Sequence, residues 1–468
     1  MKKLIPDAAS CTAQFAAAFI SLLIIASLAS CDKAATEQHA IPVTNNNPDT
    51  GIANHPIIYP SYKPNIIIIL ADDLGYEVPQ CDGGESYATP NINWLAANGM
   101  RFTQCHASPL CSPSRFMLLT GKYNFRNYTA WGIMPPAENT FPQVLRRAGY
   151  ATCIAGKWQL DGGDNSIHSL GFDDYCVWQP YNQMFPNTPA WSRYKDPSIY
   201  INGDYLADSI TAGKYSDDFF SQHIIQFMQQ NTEQPFFILY SMCLPHAPFY
   251  PTPDDADFAN FNPRTDASDA KYFPSMIAYM DKKVGEIMSS VQQMGLSGKT
   301  IIFFTGDNGT DNRIQSRYNG RLMYGGKGYT FDYGSHVPLM AYWPGVIEPS
   351  VNNSLIDFTD FLPTVASLAK TNVPADFGIT DGVSFYPQLF GSDSLMRSWV
   401  YCYYNPYLPG TNNPVSWIQN ETYKLYSYDK FLNIANDVYE HHALNTTSLN
   451  QTELAIKQNF QQALDTLR

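Results

Sequence analysis

Basic charge is scarce in this chain: 29 Lys and Arg stand against 42 Asp and Glu, a formal net charge of −13. A general nucleic-acid binder presents a basic face, so no nucleic-acid partner is expected. A small anionic substrate stays open, because a few Lys and Arg in a cleft outweigh the global field locally. The nine cysteines contain no CxxC spacing, which removes the usual zinc signature. Disulfides among them stay open in an oxidising compartment, with no deducible pairing. Internal repeats are absent. The apolar stretch from Phe15 to Ala29 is shorter than the ~20 residues that span a bilayer. Charged residues are only 15%, whereas aromatics reach 14%, ample for a large core and an aromatic-rich surface or cleft.

That short apolar stretch reads as an export signal. Lys2 and Lys3 precede it, and Leu28-Ala29-Ser30-Cys31 ends it. Small residues closing such a segment mark a cleavage site. Here they resemble a bacterial lipobox, in which Cys31 is lipidated and becomes the first mature residue. The expectation is a signal over 1–31, a flexible tether over 32–62, and a periplasmic or cell-surface lipoprotein that meets the membrane only through its lipid.

The body has an α/β texture. Asn65 to Ala71 is an unbroken β-branched run, as in a strand buried on both faces. Similar runs recur at 151–155, 235–242 and 300–305. Helical patterns lie between them at 90–98, 114–120, 140–147, 216–230 and 273–294. Strand–helix alternation implies a large, mostly parallel sheet flanked by helices, with its active site at the carboxyl edge. The catalytic domain is read as 63–395. From about Met396 the texture shifts to short, half-exposed strands at 399–404 and 423–428 and an amphipathic helix over 451–467. This is read as a small C-terminal antiparallel α+β subdomain, 396–468.

The residues just past each strand carry the chemistry. The first run ends in Asp72-Asp73 and the 300–305 run in Gly306-Asp307-Asn308-Gly309. The others lead into Gly156-Lys157-Trp158 and Pro245-His246-Ala247-Pro248. In a parallel sheet these ends share one edge. Any one Asp here is as readily a helix cap or turn former, but crowded carboxylates repel unless a cation neutralises them. An all-oxygen ligand set points to calcium or magnesium. Between the strands lies Pro109-Leu110-Cys111-Ser112-Pro113-Ser114-Arg115. A helix starting near Ser114 puts Cys111 beside its positive end, a suitable place for an anion, with Arg115 as a second positive charge.

Cys111-x-Pro113-Ser114-Arg115, followed by Leu119-Thr120-Gly121, matches the signature of the type I, formylglycine-dependent sulfatases of the alkaline phosphatase-like superfamily. The resemblance extends from Pro64 to about Leu444. It takes in 65–75, the helix after Thr89, Gly156-Lys157-Trp158, Pro245 to Pro248, Gly306 to Gly309, Gly326-Lys327 and the segment from Tyr423 to His442, in family order. It implies that a maturation enzyme converts Cys111 to Cα-formylglycine (3-oxoalanine). It also implies that Asp72, Asp73, Asp307 and Asn308 bind calcium together with that residue. Arg115 would stabilise the nucleophile, Lys157 and Lys327 would hold sulfate oxygens, and His246 would serve the leaving oxygen.

Two departures stand out. Gln159 occupies the place of the family's usual second-half base, and an amide cannot accept a proton at neutral pH. His106, His168 and His336 are the candidate substitutes, each also readable as a surface or core histidine. His336 also falls where the family commonly has Arg. A sulfated carbohydrate is the expected substrate, with Trp178, Tyr181, Trp191, Tyr194 and Trp417 as candidates for stacking on sugar rings. The rival readings are a phosphoester or phosphonate hydrolase of the same superfamily and a non-catalytic, glycan-binding lipoprotein.

Overall fold

A computed structural model describes residues 59–181, 192–406, 408 and 413–467. The signal, Cys31, most of the tether and Trp191 lie outside the described residues. The strands in chain order are β1 (Asn65–Ala71), β2 (Met100–His106), β3 (Ala151–Lys157), β4 (Asp174–Trp178), β5 (Tyr200–Ile201), β6 (Asp204–Tyr205), β7 (Phe236–Ser241) and β8 (Thr300–Gly306). They continue as β9 (Gln315–Tyr318), β10 (Arg321–Tyr324), β11 (His336–Tyr342), β12 (Ser350–Asp357), β13 (Val400–Tyr404), β14 (Val415–Gln419), β15 (Tyr423–Tyr426) and β16 (Phe431–Asn433).

Ten of these form one sheet in the order β12-β2-β11-β8-β1-β7-β3-β4-β5-β6. The neighbours β8, β1, β7, β3 and β4 are all parallel, whereas β11 runs antiparallel to both β8 and β2. The reason lies in the side chains. Alternate residues of a strand face opposite ways. In β1, Ile66, Ile68 and Leu70 enter one hydrophobic cluster, and Ile67, Ile69 and Ala71 enter the other. All seven residues of β1 are buried, and each large aliphatic side chain so covered contributes about 1.5–3 kcal/mol. The helices Cys111–Thr120, Phe141–Arg147 and Phe361–Leu368 cover one face. Pro90–Asn98, Ser216–Gln230 and Phe273–Gln293 cover the other. The expected α/β class, with its mostly parallel sheet, is observed.

At the C-terminus β13 to β16 form an antiparallel sheet backed by the helix Gln451–Thr466. The expected half-exposure of its strands is wrong. Val400, Tyr401 and Cys402 are buried, as are Lys424, Leu425 and Tyr426. Tyr401, Ile418, Leu425 and Phe431 extend the large cluster that contains Phe116, while Cys402, Trp417, Tyr426 and Leu432 form a small cluster on the opposite face. Both faces are therefore covered. The cysteines from Cys81 to Cys402 are all free. No helix among the described residues is long and apolar enough to cross a membrane.

Candidate active site

The sheet order brings four strand ends to one edge. The Asp72 amide donates to the Leu244 carbonyl after β7, and the Asp307 amide after β8 donates to the Ala71 carbonyl at the end of β1. Two glycines permit this closeness. A Cβ on Gly156 would lie 1.9 Å from the Ser241 carbonyl, and one on Gly306 would lie 2.0 Å from the Leu74 carbonyl. The Cys111–Thr120 helix starts at Cys111 itself, three residues earlier than expected. The Ser114 hydroxyl accepts from the Ser108 amide at 2.9 Å, which folds the preceding loop onto the first turn. Cys111 thus occupies the positive end of a ten-residue, wholly buried helix.

The side chains form one buried network. Lys157 Nζ donates to both oxygens of Asp72 at 2.8 Å. Arg115 grips Asp307 Oδ2 through Nε at 3.0 Å and Nη2 at 2.8 Å, stands 3.7 Å from Asp72, and donates to the Ser241 hydroxyl. Asp307 Oδ1 accepts from the Asp73 amide at 3.0 Å. Asp73 Oδ2 accepts from Lys327 Nζ at 2.6 Å, and Asp73 Oδ1 from Asn308 Nδ2 at 2.9 Å. Lys327 also lies 2.9 Å from His246 Nε2, whose other ring nitrogen meets the Ala247 carbonyl.

Electrostatics follows from burial and neighbours. Burial alone raises a carboxyl, yet the Lys157, Arg115 and Arg193 charges together hold Asp72 well below its ordinary value. Burial pushes Asp73 up, and burial with the Asp72 charge pushes Asp307 up to about 6. Burial, then the Arg193 charge, pushes His246 well down, so its ring is neutral. Carboxylates crowded in this way favour a cation among them. Donor atoms of Asp72, Cys111 and Asp307 lie within 4.8 Å of one another. Asn308 Oδ1 is buried with no hydrogen-bond partner among the described residues. Three carboxylates and an orphaned carboxamide oxygen fit a hard divalent cation. Arg115, Lys157, Arg193 and Lys327 set four cations against the three carboxylates, so positive charge remains for an anion despite the chain's acidity.

Asp72, Asp73, Asp307, Asn308, Cys111, Arg115, Lys157, Lys327 and His246 are thus brought together. Gln159 is not hydrogen-bonded into the network. It is half-buried at φ 49, its amide donates to Gln179, and its Oε1 has no partner among the described residues. His168 is spent on Phe172 and Asp164, while His106 and His336 sit with Asp332. Sequence reasoning missed Arg193, which lies 3.3 Å from Asp72 and 4.4 Å over the Trp178 ring, and Ser241. Ser241 ends β7, so the strand-end rule could have found it; Arg193 sits in a loop without local signal. The sugar-stacking candidates need correction. Trp178, Tyr194 and Trp417 are 5%, 0% and 1% exposed. Arg193 covers the first, the Tyr194 hydroxyl donates to the Cys243 carbonyl, and Lys424 lies over Trp417.

An acidic cluster backed by Arg and Lys thus stands at the carboxyl edge of this sheet, an arrangement suited to a hard cation beside a small anion. Residues 64–371 match the family model described as Sulfatase. N-acetylgalactosamine-6-sulfatase of Mus musculus is 32% identical over 368 residues, 72% of this chain and 68% of the relative. Arylsulfatase A of Homo sapiens is 31% identical over 396 residues, 78% and 75% of the two chains. The chain belongs to the sulfatase family and is a sulfuric ester hydrolase. Among solved structures, Ps i-CgsB superposes with a TM-score of 0.69 at 22% identity, covering 87% of this chain and 93% of that one. A protein solved with its substrate D-glucosamine-2-N,6-O-disulfate gives 0.67 at 21%, covering 87% and 97%. These two likenesses show the fold.

Proposed function

We propose that this chain removes sulfate from a sulfated carbohydrate, using formylglycine made from Cys111 and a calcium ion held by Asp72, Asp73, Asp307, Asn308 and residue 111. The carrying observation is the meeting of three carboxylates and four cations at the positive end of the Cys111–Thr120 helix. The carbohydrate assignment is supported by N-acetylgalactosamine-6-sulfatase and by the structure solved with a disulfated glucosamine. Export as a lipoprotein through Cys31, and an encounter with a maturation enzyme beforehand, complete the reading.

Once formed, the hydrated aldehyde at position 111 would supply a hydroxyl nucleophile, and calcium, when bound, would supply a hard positive charge. Arg115 feels the charge of residue 111 and is locked by Asp307, so it would oppose negative charge on the nucleophile without reorganising. Lys157 and Lys327, paired here with Asp72 and Asp73, would hold the sulfate oxygens when a cation shares those carboxylates. His246 donates one ring N–H to Ala247, so its Nε2 accepts from Lys327. The Lys327–His246 pair thus holds one proton for the leaving oxygen.

Mass spectrometry of active protein is the test. Residue 111 should show loss of sulfur and gain of oxygen, and sulfate release from sulfated mono- and disaccharides should scale with the converted fraction. Full activity with unmodified Cys111, or release of phosphate instead, overturns the proposal.

A further inference from the structure

A second cluster of ligand-type side chains lies on the same sheet edge, two strands beyond β8. His106 ends β2 and His336 begins β11, and the two are direct cross-strand partners. Their rings stand 4.7 Å apart. Asp332 lies one helical turn before His336. Its Oδ2 is 3.1 Å from His336 Nδ1, and its Oδ1 is 3.9 Å from His106 Nδ1. One donor atom from each of the three residues falls within 4.8 Å of the others.

His106 is 2% exposed, and neither ring nitrogen has a hydrogen-bond partner among the described residues. A buried imidazole without a partner costs roughly 1–3 kcal/mol, so its position calls for a ligand. The surrounding contacts are those of a supported metal site. His336 Nε2 donates to the Thr103 carbonyl at 2.8 Å, which fixes the ring with Nδ1 facing Asp332. Asp332 Oδ1 accepts from the buried Gln419 amide at 2.6 Å. Such outer contacts fix ligand orientation.

From this geometry we propose that His106, Asp332 and His336 form a zinc-type structural metal site separate from the acidic cluster. Bonds of about 2.0–2.2 Å to a tetrahedral ion put neighbouring donors about 3.4 Å apart; here one donor atom of each residue lies within 4.8 Å of the others, a spacing that small side-chain rotations would close. Two imidazoles and one carboxylate suit zinc or a similar transition ion, whereas the oxygen-only cluster suits calcium. The metal would tie β2, β11 and, through Gln419, β14 together. It would also hold the turn whose Gly334 carbonyl accepts from Gly309, next to Asn308.

The test uses the full purified chain, stripped with a chelator, reloaded with Ca2+ and titrated with Co2+. One equivalent should bind with the intense visible absorption of a low-coordinate, nitrogen-containing sphere, and Zn2+ should displace it. His106→Ala and His336→Ala should each abolish the signal, Asp307→Asn should retain it, and Gln419→Ala should weaken binding about 10–100-fold. Anomalous diffraction at the zinc edge from Zn2+-soaked parent crystals decides the matter independently if a variant fails to fold. A peak between the three side chains supports the site. Absence of that peak, absence of the absorption, or absorption surviving both histidine substitutions overturns it and leaves a His336–Asp332 ion pair.

Discussion

Arg115 offers the sharpest test of the site, because geometry and charge make different demands on it. It is 4% exposed, holds Asp307 through two nitrogens and also reaches Ser241. Arg115→Ala leaves a buried carboxylate without its partner, a change that costs about 3–5 kcal/mol. That is a large share of a typical stability of about 5–15 kcal/mol. Asp307, already pushed up to about 6 with the guanidinium beside it, would move further up and ligate a cation less well at neutral pH. Arg115→Lys keeps the charge but loses the planar fork. That variant should fold, as judged by near-ultraviolet circular dichroism and urea unfolding. Its kcat for sulfate release should still fall about 10²–10³-fold, the cost of one preorganised donor at a developing charge. A folded lysine variant with parental kcat would refute the positioning argument.

Asp307→Ala should leave a folded protein with most turnover and calcium lost by direct metal analysis; a stoichiometric zinc requirement in the parent would point to a phosphoesterase instead. Gln159 cannot serve as a base, so rapid kinetics should show a burst of alcohol release and then a slower phase. Loss of a general base costs about 10²–10⁴-fold in its step; Gln159→His should shorten the slow phase, and linear traces with no gain in the variant would show that another group does the work. Burial pushes Asp217 up to about 7 from 3.8. A raised carboxyl favours folding fully below pH 3.8 and loses that contribution as pH rises to about 7, an effect on the order of a few kcal/mol. Asp217→Asn should therefore flatten the fall in stability between pH 4 and about 7, measured by urea unfolding; identical slopes in the two proteins would contradict the burial argument.

Much of the scaffold was legible because local chemistry dictates it. An Ile-Ile-Ile-Ile run suits only a strand covered on both faces, and the observed β1 and the helices Pro90–Asn98 and Ser216–Gln230 have the expected bounds. Strand ends likewise announced Asp72, Asp73, Lys157, His246, Asp307 and Asn308, since in a parallel sheet the ends that carry function share an edge. The half-exposed reading of β13 and β15 failed because short alternating strands look alike whether their second face meets water or another cluster.

Sequence alone singled out most of the side chains that meet at the site, because strand periodicity, a helix N-terminus and the Cys111–Arg115 signature are encoded within a few neighbouring positions. Tertiary structure decided who meets whom. Arg193 reaches Asp72 from 121 residues away, Ser241 reaches Arg115 from 126, and His106 faces His336 only because β11 runs antiparallel between β8 and β2. Burial of Trp178, Tyr194 and Trp417 was settled at the same level, since an aromatic side chain has the same local signal under a loop as in an open cleft. Those outcomes depend on strand order and layer packing, which sum contacts between distant segments and leave no mark in the spacing of adjacent residues.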